Sequence, residues 1–185
     1  MPEREPIDPG KYFFPSLMND IENGRVRLPP FQRDFVWSPP KVIDLMDSIY
    51  KGYPIGSFFY WKASREYVTL FRDIKSLSLP APARDQELFF ILDGQQRLTS
   101  IWATFKGAII NEDNYARICL NLAEALAYEV GNSEVRRRTG VFEEADADNV
   151  NFVSLRDILA DKIQAYDAIR DSLPLEKSLV RGICG

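Results

Sequence analysis

Apolar side chains recur at the 3.6-residue period of an α-helix in two stretches near the start of the chain. The first predicts a short helix over about residues 16–23, and a short strand follows over residues 25–28. In the second, Ser38 is the expected N-cap and Pro39 the first helical position, with apolar residues at i, i+3, i+4 and i+7 from Val42. These signals predict two early helices separated by a strand.

Two runs that are apolar on both faces follow. Residues 56–61 (GSFFYW) are too short for a buried helix and predict an interior strand. Residues 88–92 predict another strand, and after Asp93 and Gly94 the apolar positions change to helical spacing. We therefore expect a strand, a tight turn and a helix in direct succession. The polar connection over residues 76–86 is the best candidate for a mobile loop.

The second half of the chain has weaker patterns. Apolar and polar residues alternate over 117–122 and again over 126–130, which predicts two half-exposed strands. Residues 131–149 are polar and predict a solvated loop. Ser154 followed by Asp157 resembles a capping box that opens a further helix.

This last helix is expected to continue toward Pro174, and another to begin near Leu175. The helical pattern is still running at the end of the chain, which predicts a piece of a longer protein. We expect residues 1–110 to form one core and residues 111–185 to complete or extend it.

The composition limits which catalytic centres and binding partners the chain can have. The 185 residues carry a net charge of −4, so a phosphate partner needs a local basic site. Histidine is absent, which excludes a complete Ser-His-Asp triad or HNH nuclease centre within the chain. The two cysteines have no CxxC spacing, and no apolar stretch is long enough for a signal or a membrane span. We expect a soluble, cytoplasmic protein that does not enter the membrane.

The strongest chemical signal is the Asp93-Gly94-Gln95-Gln96-Arg97 turn. An Asp-Gly pair is usually a hairpin turn, but the helical period that follows excludes a hairpin here. An arginine at a helix N-terminus is unfavourable by about 0.3 to 1 kcal/mol unless an anion binds there. Free amides, a glycine and a guanidinium together predict a phosphate site, with a solvent-exposed helix start as the alternative. Asp93 has three possible roles: capping the helix, holding a divalent cation, or orienting a water.

A second group of residues is held by prolines. Pro30 precedes Phe31, Gln32 and Arg33 in an extended segment, so Arg33 could bring a second guanidinium to the same polyphosphate. The alternative is that Phe31 and Trp37 are core anchors while Gln32 and Arg33 face water.

Two stretches carry a family resemblance: LPPFQRDFVWSPPKVIDLMDSIYKGYPIGSFFYW and FFILDGQQRLTSIWATFKG. They resemble the two signature blocks of the N-terminal domain of GmrSD-type restriction proteins, which are type IV, modification-dependent systems. Gln32 and Arg33 match the family's QR pair, and residues 93–97 match its DGQQR motif. The resemblance spans roughly residues 17–107.

The resemblance implies an α+β fold of the ParB and sulfiredoxin kind, a small mixed sheet with flanking helices. It also implies binding, and in several members hydrolysis, of a nucleoside triphosphate (ATP or GTP) that controls DNA cleavage in anti-phage defence. Asp93 and Arg97 would be catalytic, Mg²⁺ would bind to Asp93, and Gln32, Arg33, Gly94, Gln95 and Gln96 would bind the nucleotide. A separate or C-terminal HNH nuclease domain, DNA and a second copy of the chain are the implied partners.

Two other functions fit the same residues. A non-catalytic DNA-recognition or protein-interaction module is one, with Arg136, Arg137 and Arg138 as a local basic patch. Direct DNA cleavage by the domain is the other, although Asp93 alone resembles a nuclease metal ligand.

Overall fold

The computed structural model describes residues 14–29, 31–64, 66–67, 87–146 and 151–160. Within them the fold is α+β, as predicted. The helices and strands, in chain order, are α1 (Phe14–Glu22), β1 (Val26–Arg27), α2 (Pro39–Tyr50), β2 (Phe59–Ala63), β3 (Leu88–Asp93), α3 (Gln95–Lys106), β4 (Ile109–Ile110), β5 (Asp113–Asn114), β6 (Ile118–Asn121), α4 (Leu122–Val130), α5 (Ser133–Arg138), β7 (Phe142–Glu144), β8 (Phe152–Ser154) and α6 (Leu155–Ala160).

The described residues fall into two compact units. The first contains α1, β1, β2 and β3, and the second contains α2, α3 and all later elements. The chain passes from one unit to the other after Asp34, after Phe58 and after Asp93. The predicted division into residues 1–110 and 111–185 stays a prediction.

The first unit is built on β3. This strand is the centre of a three-stranded sheet, parallel to β1 and antiparallel to β2. Its side chains Leu88, Phe90 and Ile91 are fully buried, which explains why the sequence of the strand is apolar on both faces. Helix α1 adds Leu17 and Ile21 to the buried residues of this unit.

In the second unit, α3 is buried nearly all round. Leu98 and Ile101 are buried as expected, and so are polar residues of the same helix, Gln95, Gln96, Thr99, Ser100 and Thr104. Ser100 and Thr104 satisfy their hydroxyls by donating to backbone carbonyls one turn earlier, at 2.8 and 2.9 Å. A helix this deeply buried can hold its N-terminal residues in fixed positions.

Helix α2 also belongs to the second unit and begins as predicted, with Ser38 as N-cap and Pro39 in the first turn. Its Asp47 carboxylate accepts hydrogen bonds from the amides of Val141, at 2.8 Å, and Phe142, at 3.1 Å. These bonds fix the start of β7, which pairs with β6 in a second three-stranded sheet.

Four sequence predictions are corrected. The first helix spans Phe14–Glu22, so Ser16 lies inside it rather than at its cap. The strand predicted over residues 56–61 runs over Phe59–Ala63, at an edge of the three strands described, where three of its five residues are exposed. Its apolar sequence suggested an interior strand, but its aromatic residues instead lie against neighbouring rings, such as Trp61 against Phe90 at 5.7 Å between centroids.

The other two corrections concern the second half. Residues 126–130 belong to helix α4 rather than a strand, because Asn121 accepts hydrogen bonds from the amides of Ala123 and Glu124 and starts a helix. The predicted loop over 131–149 contains helix α5, capped in the same way by Asn132, and strand β7. A side-chain cap overrode the alternation in one case and the polar composition in the other.

The predicted helix start at Ser154 is confirmed, since Ser154 Oγ accepts from the Asp157 amide at 3.1 Å and donates to the Asp157 carboxylate at 2.7 Å. The predicted loop over 76–86 and the helices expected toward and beyond Pro174 lie outside the described residues. Among the described residues, no helix is long and apolar enough to cross a membrane.

Candidate functional site

The predicted strand, turn and helix are present, and Gly94 makes the turn. It is the N-cap of α3 and has φ 92° and ψ 4°, in the left-handed region. A Cβ at this position would lie 2.6 Å from Cδ1 of Phe58, so both the conformation and the space require glycine. The chain can therefore turn from β3 into α3 within one residue.

Asp93 is the last residue of β3 and is exposed. It faces Phe59 in the antiparallel pairing, at a point where the register shifts. The N-cap of α3 is Gly94, one residue later, and it has no side chain with which to cap. Capping by an N-cap aspartate is therefore not what opens this helix, and the roles of Asp93 as Mg²⁺ ligand or water-orienting group stay predictions.

Arg97, in the first turn of α3, is held by the backbone of a neighbouring segment. Its Nη2 donates to the carbonyl of Ser57 at 3.0 Å, and its Nη1 donates to the carbonyl of Ile55. The guanidinium carbon lies 5.2 Å from the ring centroid of Phe58. Sequence reasoning missed this role. Gly56 was a signal for it, since a Cβ at position 56 would collide with Arg97 Nη1.

The side chains of the two glutamines of the motif have different hydrogen-bonding environments. Oε1 of Gln96 accepts a hydrogen bond from the amide of Val36 at 2.9 Å, so this buried side chain fixes the segment before α2. Gln95 is 4% exposed, and its Nε2 has no hydrogen-bond partner within the described part of the chain. A buried amide donor that the protein leaves unsatisfied costs about 1–3 kcal/mol.

Two further polar atoms of α3 are buried without a partner among the described residues: Thr99 Oγ1 and Trp102 Nε1. They lie four and seven positions after Gln95, a spacing that places all three residues on one face of the helix. The sequence analysis did not single out Thr99 or Trp102. The signal was the i, i+4, i+7 spacing of polar-tipped residues in an otherwise buried helix.

The QR pair of the first stretch lies in the first unit. Gln32 Nε2 donates to the carbonyl of Leu92 at 2.8 Å, which links this segment to the end of strand β3 beside Asp93. Phe31 is exposed, so the alternative in which it is a core anchor is wrong, but Arg33 is exposed as that alternative held. The structure thus brings Gln32 to the strand that ends at Asp93, and groups Gly94, Gln95, Gln96 and Arg97 in the second unit.

The parts of the chain that the structure describes contain no group of three or more His, Cys, Asp or Glu residues able to hold a metal ion. Magnesium beside a nucleotide needs only one or two carboxylates, because the phosphates and water molecules supply the remaining ligands. A single Asp93 would suffice only when a nucleotide is present.

The three arginines of α5 are each engaged locally. Arg136 donates to the carbonyls of Tyr128, at 2.9 Å, and Glu129, at 2.7 Å, at the end of α4. Arg137 donates to the carbonyl of Ser133 at 3.2 Å, and Arg138 pairs with Glu134 at 2.9 Å. Consecutive helical residues point about 100° apart, so these three cations do not form one basic face.

The geometry defines a class of protein: an α+β domain whose central strand passes through a left-handed glycine into a buried helix with an arginine in its first turn. Residues 14–179 match the model of the GmrSD restriction endonuclease N-terminal domain. The chain belongs to this family.

A curated relative shows a shorter match. An uncharacterized protein of Methanocaldococcus jannaschii, MJ0686, is 33% identical over 90 residues. The match covers 46% of this chain and 15% of the relative. The chain therefore corresponds to a small part of that relative's length.

Proposed function

We propose that this domain binds a nucleoside triphosphate, ATP or GTP, with Mg²⁺ and hydrolyses it, and that this reaction controls DNA cleavage by a separate nuclease domain in anti-phage defence. The observation that carries the proposal is Gln95. Its side chain is 4% exposed and its Nε2 has no partner among the described residues, in the first turn of a helix opened by Gly94.

A donor at this position with no partner among the described residues is available to an anion. Helix N-termini attract anions, because the first amides and the helix dipole place about half a positive charge there. Proteins violate local rules of hydrogen bonding mostly at functional sites. An oxygen of a bound phosphate or ribose would satisfy Gln95 Nε2 and receive the field of the helix at the same time.

The other motif residues then take distinct roles. Arg97 neutralises charge on the phosphates, and Arg33 supplies a second guanidinium. Asp93 holds Mg²⁺ against the phosphate oxygens or orients the attacking water. Gly94 allows the close approach that a side chain would block.

The experiment is a measurement of ATP and GTP binding by calorimetry, and of phosphate release, with Mg²⁺ and the 185-residue chain. Gln95→Leu replaces the amide by an apolar group of similar size. We expect nucleotide affinity to fall about tenfold, the loss of roughly one charge-assisted hydrogen bond, while the unfolding temperature stays equal or rises. Asp93→Ala is expected to keep binding and to lose turnover.

The matched controls are Gln96→Leu and Arg137→Ala. Gln96→Leu removes the acceptor of the Val36 amide and should lower stability, in contrast to Gln95→Leu. Arg137→Ala removes a charged side chain from the exposed helix α5, outside the proposed site, and should change neither binding nor turnover. Absence of ATP and GTP binding by the wild-type chain would refute the proposal.

A further inference from the structure

The backbone from Ile55 to Phe58, here termed the strap, is hydrogen-bonded to the two terminal nitrogens of Arg97. Two carbonyls of the strap, those of Ile55 and Ser57, accept hydrogen bonds from the two terminal nitrogens of the guanidinium. These nitrogens form the edge that would meet two phosphate oxygens in a bidentate pair. The strap therefore sits on the same donors that the proposed nucleotide site requires.

Phe58 covers the glycine turn from the same side. The ring reaches to 2.6 Å from the position that a Cβ of Gly94 would take, and Arg97 Nη2 lies 3.4 Å from that position. The guanidinium also lies over the Phe58 ring. Ring and guanidinium together thus fill the space beside Gly94 through which a phosphate would approach the start of α3.

The strap has the features of a segment that can exchange between two positions. Gly52 precedes the strap and Gly56 lies within it, and both have positive φ, 69° and 84°. The residues exposed in this region are Gly52, Tyr53 and Pro54 before the strap and Gly56 and Ser57 within it. Few buried contacts therefore resist a change of conformation in this part of the chain.

The balance of forces favours an anion over the strap. A backbone carbonyl is a neutral acceptor, whereas hydrogen bonds from a guanidinium to a phosphate are charge-assisted and roughly twice as strong. A phosphate that meets Nη1 and Nη2 end-on would compete with the two carbonyls for these nitrogens. Phosphate binding in that mode displaces the carbonyls of Ile55 and Ser57.

We propose that the strap is an autoinhibitory segment: it competes with the nucleotide phosphates for Arg97 and Gly94, and nucleotide binding releases it. The release changes the backbone directly before Phe59, the first residue of β2. This inference rests on the proposed function, because the competitor is the nucleotide of that same site.

The test joins two measurements on the 185-residue chain. Hydrogen exchange of the amides of Ile55, Gly56, Ser57 and Phe58 is followed with and without Mg²⁺-ATP and Mg²⁺-GTP, and nucleotide affinity is measured for wild type and Phe58→Ala. We expect faster exchange in the strap when nucleotide is present. We expect Phe58→Ala to bind about two to five times more tightly, the factor that loss of a partly exposed cation–π contact gives. Thermal unfolding checks that the variant is folded.

Tyr53→Ala is the matched control, since it removes an exposed aromatic ring from the same region. Its affinity should equal that of wild type, and an equal gain in both variants would overturn the proposal. If wild type binds nucleotide but strap exchange does not rise, or Phe58→Ala binds no more tightly, the strap is not inhibitory while the site stands. Failure of the wild-type chain to bind ATP or GTP would remove the proposed function together with the strap.

Discussion

The ring of Phe58 lies so close to Gly94 that a single added methyl group would come within 2.6 Å of its Cδ1 atom. Gly94 also has φ 92°, which L-residues with a side chain rarely adopt. The turn that opens α3 is thus limited to glycine by conformation and by space. The separate costs of the two constraints can be measured.

Gly94→Ala is expected to lower the free energy of unfolding by about 2–4 kcal/mol, since it combines backbone strain with overlap against an aromatic ring. Gly52→Ala is the matched control, because Gly52 has φ 69° but nothing within 4 Å of its Cβ position. That variant should lose only about 1 kcal/mol. Urea unfolding measures both, and equal losses would show that the Phe58 contact contributes nothing.

Thr99→Val tests the buried polar face of α3. The Thr99 hydroxyl has no partner within the described residues, so its replacement by a methyl group should leave stability unchanged or raise it by about 1 kcal/mol. Thr104→Val is the control, since the Thr104 hydroxyl donates to the Ser100 carbonyl at 2.9 Å. It should lose about 1 kcal/mol. A larger loss for Thr99→Val than for Thr104→Val would mean that the Thr99 hydroxyl is satisfied in solution.

Glu112→Gly is expected to stabilise the β4–β5 hairpin. Asn111 and Glu112 have φ 52° and 73°, as in a type I′ turn, and this turn favours glycine at its second central position. We expect a gain of about 0.5–1 kcal/mol in thermal unfolding. Asn111→Gly is expected to gain nothing, because the Asn111 side chain donates to the carbonyl of Phe35 at 3.0 Å. Destabilisation by Glu112→Gly would contradict this account of the turn.

Cys119 should be unreactive in the folded protein. Burial raises the pKa of its thiol to about 11, and the charges of Asp157 and Asp146 add to the rise. In a Cys184→Ser background, alkylation at pH 8 should be about 100-fold slower than in urea, since a rise of two pKa units lowers the thiolate fraction by that factor.

The sign of the pH dependence follows from the same shift. A thiol whose pKa is higher in the folded state stabilises the fold below about pH 9, and this contribution is lost as the pH rises toward 11. Cys119→Ala should therefore show a shallower loss of stability over this interval than its parent. Identical pH profiles for the two proteins would contradict the assignment.

Local signals were sufficient to predict part of the structure. The change of period at Asp93 and Gly94 predicted the strand, turn and helix, and the Ser154–Asp157 pair predicted the start of α6. Both depend on residues close together in sequence. The helix starts at Asn121 and Asn132 were equally local, but the alternating and polar residues after them outweighed the caps in the interpretation.

The partners of the motif residues could not be predicted in this way. Arg97 bonds to carbonyls 42 and 40 positions earlier, and Gln96 to an amide 60 positions earlier. Backbone acceptors carry no sequence signature, so only the fold shows that Arg97 holds the strap. That Gln95 Nε2 finds no partner among the described residues likewise depends on the packing around α3.

The most direct test of the proposed site is an NMR titration of the 185-residue chain, labelled with ¹⁵N, with Mg²⁺-ATP and Mg²⁺-GTP. We predict that the amide resonances of Gly94, Gln95, Gln96 and Arg97 move the most and saturate together, with inorganic sulfate at the same concentration as the anion control causing smaller changes. Saturable shifts confined to other parts of the chain, or no shifts with either nucleotide, would contradict the assignment of the α3 N-terminus as the nucleotide site.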